Sequence, residues 1–311
     1  MRRIRTIDDV LPSDRGACAA IGNFDGVHLG HQAILDRARE AAPDASRAVL
    51  TFEPHPREVF APDAPPFRLM RPDTRAHRLE KLGLDLLFEI EFDRVRDLSP
   101  EAFCAEICAA TLGLTHAVVG EDFRFGKGRA GDAEAFVRLG ETNGFGVTIL
   151  PAFGLGDGAS RVSSSGVRAA LEEGRPRDAA AMLGHWHRVD GPVEHGDKRG
   201  RTLGYPTANL GMEGLLLPKL GVYAVLVDIL DGPHAGSWQG VASLGVRPMF
   251  DGGAAKLETF LFDFDGDLYG TEISVALVEF LRPEEKFDGI ETLIAQMDRD
   301  KAEARAVLEA L

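Results

Sequence analysis

The sequence predicts two domains: an N-terminal α/β domain on a parallel sheet, and a C-terminal antiparallel β-barrel closed by a C-terminal helix. Three observations predict this. Up to about residue 182, short apolar runs suited to buried strands alternate with helical patterns, as parallel strands covered on both faces require. Beyond that point strand-like runs follow one another with only Gly, Asp and Pro turns between them. The chain then ends in one amphipathic run. With 311 residues each half can bury a core of its own, and the expected domains are 1–182 and 183–311.

In the first half, "ACAAIG" leads into the helical "HQAILDRAREAA", and "RAVLTF" leads into a Pro-rich loop. "DLLFEIEF" precedes "SPEAFCAEICAATL", "HAVVG" precedes "DAEAFVRLGETN", and "GVTILPAF" closes the series. "VRAALEEGRPRDAAAMLG" reads as one or two short helices bridging the halves. The second half offers "GVYAVLVDIL", "GSWQGVASLGV", "LETFLFDF" and "LYGTEISVALVEFL" as strands, a pattern that suits a small barrel. In the last run Ile290, Leu293, Ile294 and Met297 fall on one helical face.

Composition narrows the class. Hydrophobic content of 44% fits an ordinary globular protein, and no stretch is long and apolar enough to read as a membrane span. The charged N-terminus lacks a secretory pattern, and three cysteines cannot all pair, so a reducing cytoplasm is expected. A formal charge of −14 argues against nucleic-acid or anionic-membrane partners. Small-molecule ligands remain, and an anionic one must be met by local positive groups. "RFGKGR", "RVSSSGVR" and "GDKRGR" offer them, each with a plain solvated charge run as its alternative. Cys104 and Cys108, one helical turn apart beside Phe103 and Ile107, read as packed helix residues. The oligomeric state is not legible.

"GNFDGVHLGHQAIL", residues 22–35, forms the first strand-to-helix turn, the usual phosphate site of an open parallel sheet. Gly22, Gly26 and Gly30 permit a tight path, and His28 and His31 add two side-chain donors. Phosphate contact, a metal pair and incidental turn residues are the three readings of these histidines; no cluster with ligand spacing supports the metal. "GKGRAG" matches a dinucleotide pattern but does not end a strand. "DFDGDLYG" resembles a phosphatase signature, yet Asp265-Gly266 reads better as a hairpin turn.

The motif "GNFDGVHLGHQAIL" strongly resembles the H-x-G-H element of nucleotidylyltransferases, in the form used by bacterial bifunctional riboflavin kinase/FMN adenylyltransferases, also called FAD synthetases. "TFEPHPREVF", "VVGEDFRFGKGRAGD", "VSSSGVRAALEEG", "GRTLGYPTANL" and "LETFLFDFDGDLYG" follow in that family's order, over nearly the whole chain. The resemblance implies a Rossmann-like nucleotidylyltransferase domain followed by a riboflavin kinase-like barrel. ATP, riboflavin, FMN and FAD would be substrates or products, with Mg²⁺ as the cofactor. It implies that His28 and His31 hold the ATP phosphates, that Asn23 and Phe24 lie along the adenosine, and that Ser164, Ser165 and Arg168 meet the β and γ phosphates. Pro54, His55, Pro56, Asp122 and Phe123 would line the flavin side; at 122 the family often carries Asn.

In the second half Thr207 and Asn209 stand two apart in "PTAN" and project to one side of an extended chain, as hard oxygen ligands for Mg²⁺. A plain turn is the alternative. The resemblance makes this the kinase signature, with Gly196, Lys198 and Gly200 in the loop over the nucleotide. Glu258 shares one strand parity with Phe260, Phe262 and Phe264, so its carboxylate is expected to point toward an apolar interior. By resemblance it is the base for the ribityl 5′-hydroxyl. Met249 stands where the family has Thr.

Overall fold

The computed structural model describes residues 1–156, 161–195, 204–246 and 255–311. Met1–Ala64 with Pro72–Ser163 form one compact unit, and Pro65–Arg71 with Ser164–Leu311 form another. The architecture is thus the expected pair of a parallel α/β fold and an antiparallel near-barrel.

The first unit is built on six parallel strands: β1 (Arg2–Ile4), β2 (Cys18–Ile21), β3 (Arg47–Glu53), β4 (Leu86–Glu91), β5 (His116–Gly120) and, after the β6 (Arg124–Phe125) and β7 (Gly131–Asp132) hairpin, β8 (Gly146–Leu150). Their spatial order is β1-β4-β3-β2-β5-β8. The chain runs outward from β2 through β3 to β4, then returns to place β5 on the other side of β2. That reversal makes the carboxyl ends of β2 and β5 the crevice where open α/β sheets take ligands. Every residue of β2 is buried, as a central strand covered on both faces demands.

Two elements of this unit differ from expectation. Strand β1 pairs with β4 at the sheet edge, although "RRI" carries no strand signal of its own. "FCAEICAAT" winds as a π-helix, with Leu112 N–H reaching the Ile107 carbonyl at 2.9 Å and the Thr111 hydroxyl reaching that of Glu106 at 2.7 Å. Phe103, Cys104, Ile107 and Cys108 are buried there, and burial pushes the Cys104 thiol up to about 12. These cysteines are packed and inert.

The second unit is a six-stranded antiparallel sheet in the order β10-β13-β12-β11-β14-β9. Its strands are β9 (His187–Pro192), β10 (Ala208–Gly211), β11 (Gly221–Ile229), β12 (Gly236–Val246), β13 (Ala255–Leu261) and β14 (Glu272–Arg282). The outermost strands approach each other through a bridge between Glu194 and Asn209, where Glu194 N–H donates to the Asn209 carbonyl at 2.9 Å. Arg71 spans the same seam, donating to the carbonyls of Asp190 and of Gly211, the latter at 2.9 Å. Leu210, Val225, Val227, Leu244, Leu257 and Val275 fill the interior. Helix Ile290–Glu309 covers the outer face through Ala304 and Leu308, against Ala224, Phe260, Phe262 and Val278.

The first turn of that helix departs from the expected apolar face, because Ile290 is exposed. Burial is concentrated further along, where Asp300 takes a bidentate pair from Arg282 at 2.8 and 2.9 Å. The ten residues between β13 and β14 form a longer connection than a two-residue hairpin, so Asp265-Gly266 sits inside a loop.

Candidate active sites

In the first unit, helix Leu29–Ala41 starts immediately beyond the turn, with His28 as its N-cap. The His28 Nδ1 accepts the His31 backbone N–H at 3.3 Å, so one free N–H of the helix start is already occupied by the side chain expected to meet the ligand. The rings of His28 and His31 are stacked at 3.6 Å between centroids, and Phe24 lies 4.8 Å from His31. Phe24 and Val27 have φ of +53° and +44°, the left-handed region that side chains with a Cβ avoid. His31 is held well below the ordinary histidine pKa, first by burial, then by the His28 ring and the Arg75 charge. It is therefore neutral, and its Nδ1 has no partner among the described residues.

The loops after β3, β2 and β5 leave the sheet at one edge, because adjacent parallel strands present their carboxyl ends together. Pro54, His55 and Pro56 follow β3, Asn23 and Phe24 follow β2, and Asp122 and Phe123 follow β5. His55 caps helix Pro56–Phe60 by accepting the Arg57 N–H at 3.0 Å. Asp122 is paired with Arg161. Phe123 stacks on Phe125 at 5.4 Å and meets Phe136 edge-on, so much of its ring belongs to the core.

Ser164, Ser165 and Arg168 belong to the second unit, in the first turns of helix Ser164–Glu172. The Arg168 Nε donates to the Phe67 carbonyl at 2.7 Å and the guanidinium lies over the Phe67 ring. It is a braced side chain, unlike a solvated surface arginine.

In the barrel, Asn209 of β10 stands directly opposite Glu258 of β13. Cross-strand partners share a face, with Cβ atoms about 5 Å apart, so the expected ligand and the expected base are brought together. That face is the outer one: Leu257, Thr259 and Leu261 fill the interior, and Glu258 points away from it with Phe260. The expectation that Glu258 enters the apolar interior is therefore overturned. β13 also ends at Leu261, before Phe262 and Phe264. Asn209 is buried, and its Nδ2 donates to the Thr207 carbonyl at 3.2 Å, so the amide oxygen is the acceptor end of the side chain. A pocket of about 400 Å³ opens beside Thr207, with Leu261, Phe264, Asp267 and Tyr269 among its walls. Gly196, Lys198, Gly200 and Met249 lie outside the described residues.

Sequence reasoning missed Arg75. It lies on helix Pro72–Lys81 and donates to the Asn23 carbonyl at 3.2 Å. A buried arginine on a short charged helix leaves no periodic trace.

Residues 11–166 match the FAD synthetase family model and residues 183–308 match that of riboflavin kinase. The bifunctional riboflavin kinase/FMN adenylyltransferase of Pseudomonas fluorescens is 42% identical, covering 99% of this chain and 98% of that protein. Those of Escherichia coli K12 and Listeria monocytogenes are 38% and 37% identical, with at least 95% of each chain covered. A crystal structure described as the macrolide-efflux protein of Streptococcus pneumoniae superposes with a TM-score of 0.83 at 28% identity, covering 98% of both chains. Among the described residues no helix is long and apolar enough to cross a membrane. The chain belongs to the family of bifunctional riboflavin kinase/FMN adenylyltransferases.

Proposed function

We propose that this chain makes both flavin cofactors, phosphorylating riboflavin to FMN within residues 183–311 and adenylylating FMN to FAD within residues 1–182. The full-length likeness to bifunctional relatives carries the reading, and the pairing of Asn209 with Glu258 supports its kinase half. In adenylylation a phosphate oxygen of FMN attacks the α-phosphorus of ATP and pyrophosphate leaves. His28 and His31 serve as N–H donors to the phosphates, and Asn23 and Phe24 seat the adenosine. The loops of Pro54 to Pro56 and of Asp122 and Phe123 take the flavin, and Ser164, Ser165 and Arg168 meet the outer phosphates. Alignment and charge stabilisation supply the rate, with no covalent nucleophile.

In the barrel, Glu258 accepts the proton of the ribityl 5′-hydroxyl as that oxygen attacks the γ-phosphorus and ADP leaves. Gly196, Lys198 and Gly200 belong to the loop over this nucleotide. The donor set fits magnesium: a hydroxyl and an amide oxygen are hard ligands, and no cluster of three His, Cys, Asp or Glu competes among the described residues. Thr207 and Asn209 would hold the ion, which neutralises phosphate charge when bound. Substrates are small molecules; nucleic acid and membrane play no part, and the setting is cytoplasmic.

Incubation with riboflavin, ATP and Mg²⁺, followed by chromatography, tests the reading. FMN should appear first and FAD after it. The His28→Ala, His31→Ala double variant should stop at FMN. Undiminished FAD from that variant removes the histidines from the site, and absence of both products from the wild type overturns the function.

A further inference from the structure

Arg75 is only 2% exposed, yet it is a charged residue on a helix of the sheet unit. One terminal nitrogen donates to Glu53 Oε1 and Glu89 Oε1, both at 2.6 Å. Glu89 is equally buried and also takes a bond from Arg3. A network of this kind brings little net stability over apolar packing, because desolvating the charges offsets their attraction. Packing alone gives no reason for it.

The other terminal nitrogen points to a reason. It donates to the Asn23 carbonyl at 3.2 Å, and the Thr51 hydroxyl donates to the same oxygen at 3.3 Å. Asn23 immediately precedes the strained turn, where Phe24 and the β-branched Val27 both adopt positive φ. Such conformations persist only where surrounding contacts over-determine them. Phe24 lies tilted against His31 on that turn, and the His31 ring stacks on that of His28. The Asn23 carbonyl belongs to the peptide bond that enters Phe24, the residue whose ring lies against His31.

We propose that Arg75 is a positioning residue for adenylyl transfer: gripped by Glu53 and Glu89, it fixes the Asn23 carbonyl and so holds the turn that aims His28 and His31. This rests on the reading of those histidines as the phosphate-binding pair. The role needs the fork of a guanidinium, since three acceptors lie around one head group. Lysine carries the same charge as a single point and cannot span them.

The test uses the full chain as Arg75→Lys, with FMN adenylylation, riboflavin phosphorylation and thermal unfolding measured on each preparation. The adenylylation kcat should fall roughly 10- to 100-fold, the cost of a displaced catalytic group. KM for ATP should change by no more than about three-fold, since the interaction lost is one made in the transition state. Riboflavin phosphorylation should be unchanged. A merely structural residue would lower the melting temperature without this kcat-against-KM split. Glu53→Gln, which loosens the grip on Arg75 from its more exposed side, should lower the same kcat by a few-fold and decides the matter should the lysine variant not fold. An adenylylation kcat within two-fold of wild type in the deciding variant overturns the positioning role alone. A wild type that makes no FAD from supplied FMN overturns both the role and the reading beneath it.

Discussion

His31 is held as a neutral ring, since burial, the stacked His28 and the Arg75 charge all disfavour its protonation. His28 is oriented by its place as the helix N-cap. Its Nδ1 accepts the His31 N–H, so in the neutral ring the proton sits on Nε2, the atom directed away from the cap. In the proposed site the neutral His31 ring would offer an N–H dipole, which suits transfer between two anions better than a charge that binds the ground state equally well. In the barrel the deciding residue is Glu258, on the outer face opposite Asn209. Glu258→Gln keeps size and hydrogen bonding but cannot accept a proton. FMN formation should fall by a factor on the order of 10² to 10⁴, while adenylylation of supplied FMN continues nearly unchanged. Flavin fluorescence in the presence of MgADP should report riboflavin binding close to wild type. Turnover within a few-fold of wild type makes Glu258 an ordinary strand residue, and joint loss of turnover and binding makes its role structural.

The mistaken side for Glu258 has a cause in β13 itself. Leu257 and Leu261 face the barrel interior, but Phe260 faces the C-terminal helix, so both parities of the strand are apolar. Alternation distinguishes core from solvent and has nothing to say between two covered faces. Strands β2, β3 and β5 were legible because continuous apolar runs of that length suit only buried parallel strands. The turn from β2 into the first helix was legible because its glycines and histidines fall within ten residues. Strand β1 and the Arg75 helix were not, since each is specified by distant partners: β1 by β4, and Arg75 by Glu53 and Glu89. The segment Pro65–Arg71 is a third such case. It crosses into the barrel unit, where Leu69 packs with Val167, Leu171 and Leu183, and Arg71 bridges β9 to β10. Arg71→Met should keep the aliphatic contacts and lose both charge-assisted bonds. The barrel should then be destabilised by about 1.5–3 kcal/mol, measured as a lower urea midpoint for loss of kinase activity. An unchanged midpoint would mean that the bridge from Glu194 to Asn209 closes the seam alone.

At the scale of the whole chain, each unit carries a histidine whose pKa burial lowers. His187, at the start of β9, is lowered to about 4 by burial and then by His185, and burial lowers His31 in the other unit as well. A histidine of the unfolded chain titrates near 6.5. Between that value and about 4 the unfolded chain takes up protons that the folded chain refuses, so stability is fully present above 6.5 and is lost as the pH falls. His187 alone accounts for on the order of 3 kcal/mol across this window. Net charge argues in the opposite direction. At −14 the molecule repels itself, and acidification toward its isoelectric point should relieve that repulsion. The two effects are separable by substitution. Urea unfolding at pH 7, 6 and 5 should give a free energy that declines on acidification, with the steepest loss below 6. In His187→Gln, which places a neutral polar group of similar reach at the site, the barrel's share of that decline should flatten while its stability at pH 7 drops modestly. A wild type whose stability rises from pH 7 to 5 would make surface charge the stronger force. A variant as acid-sensitive as the wild type would assign the decline to His31 and the sheet unit instead, and the loss of FAD formation before FMN formation in the same titration would identify it.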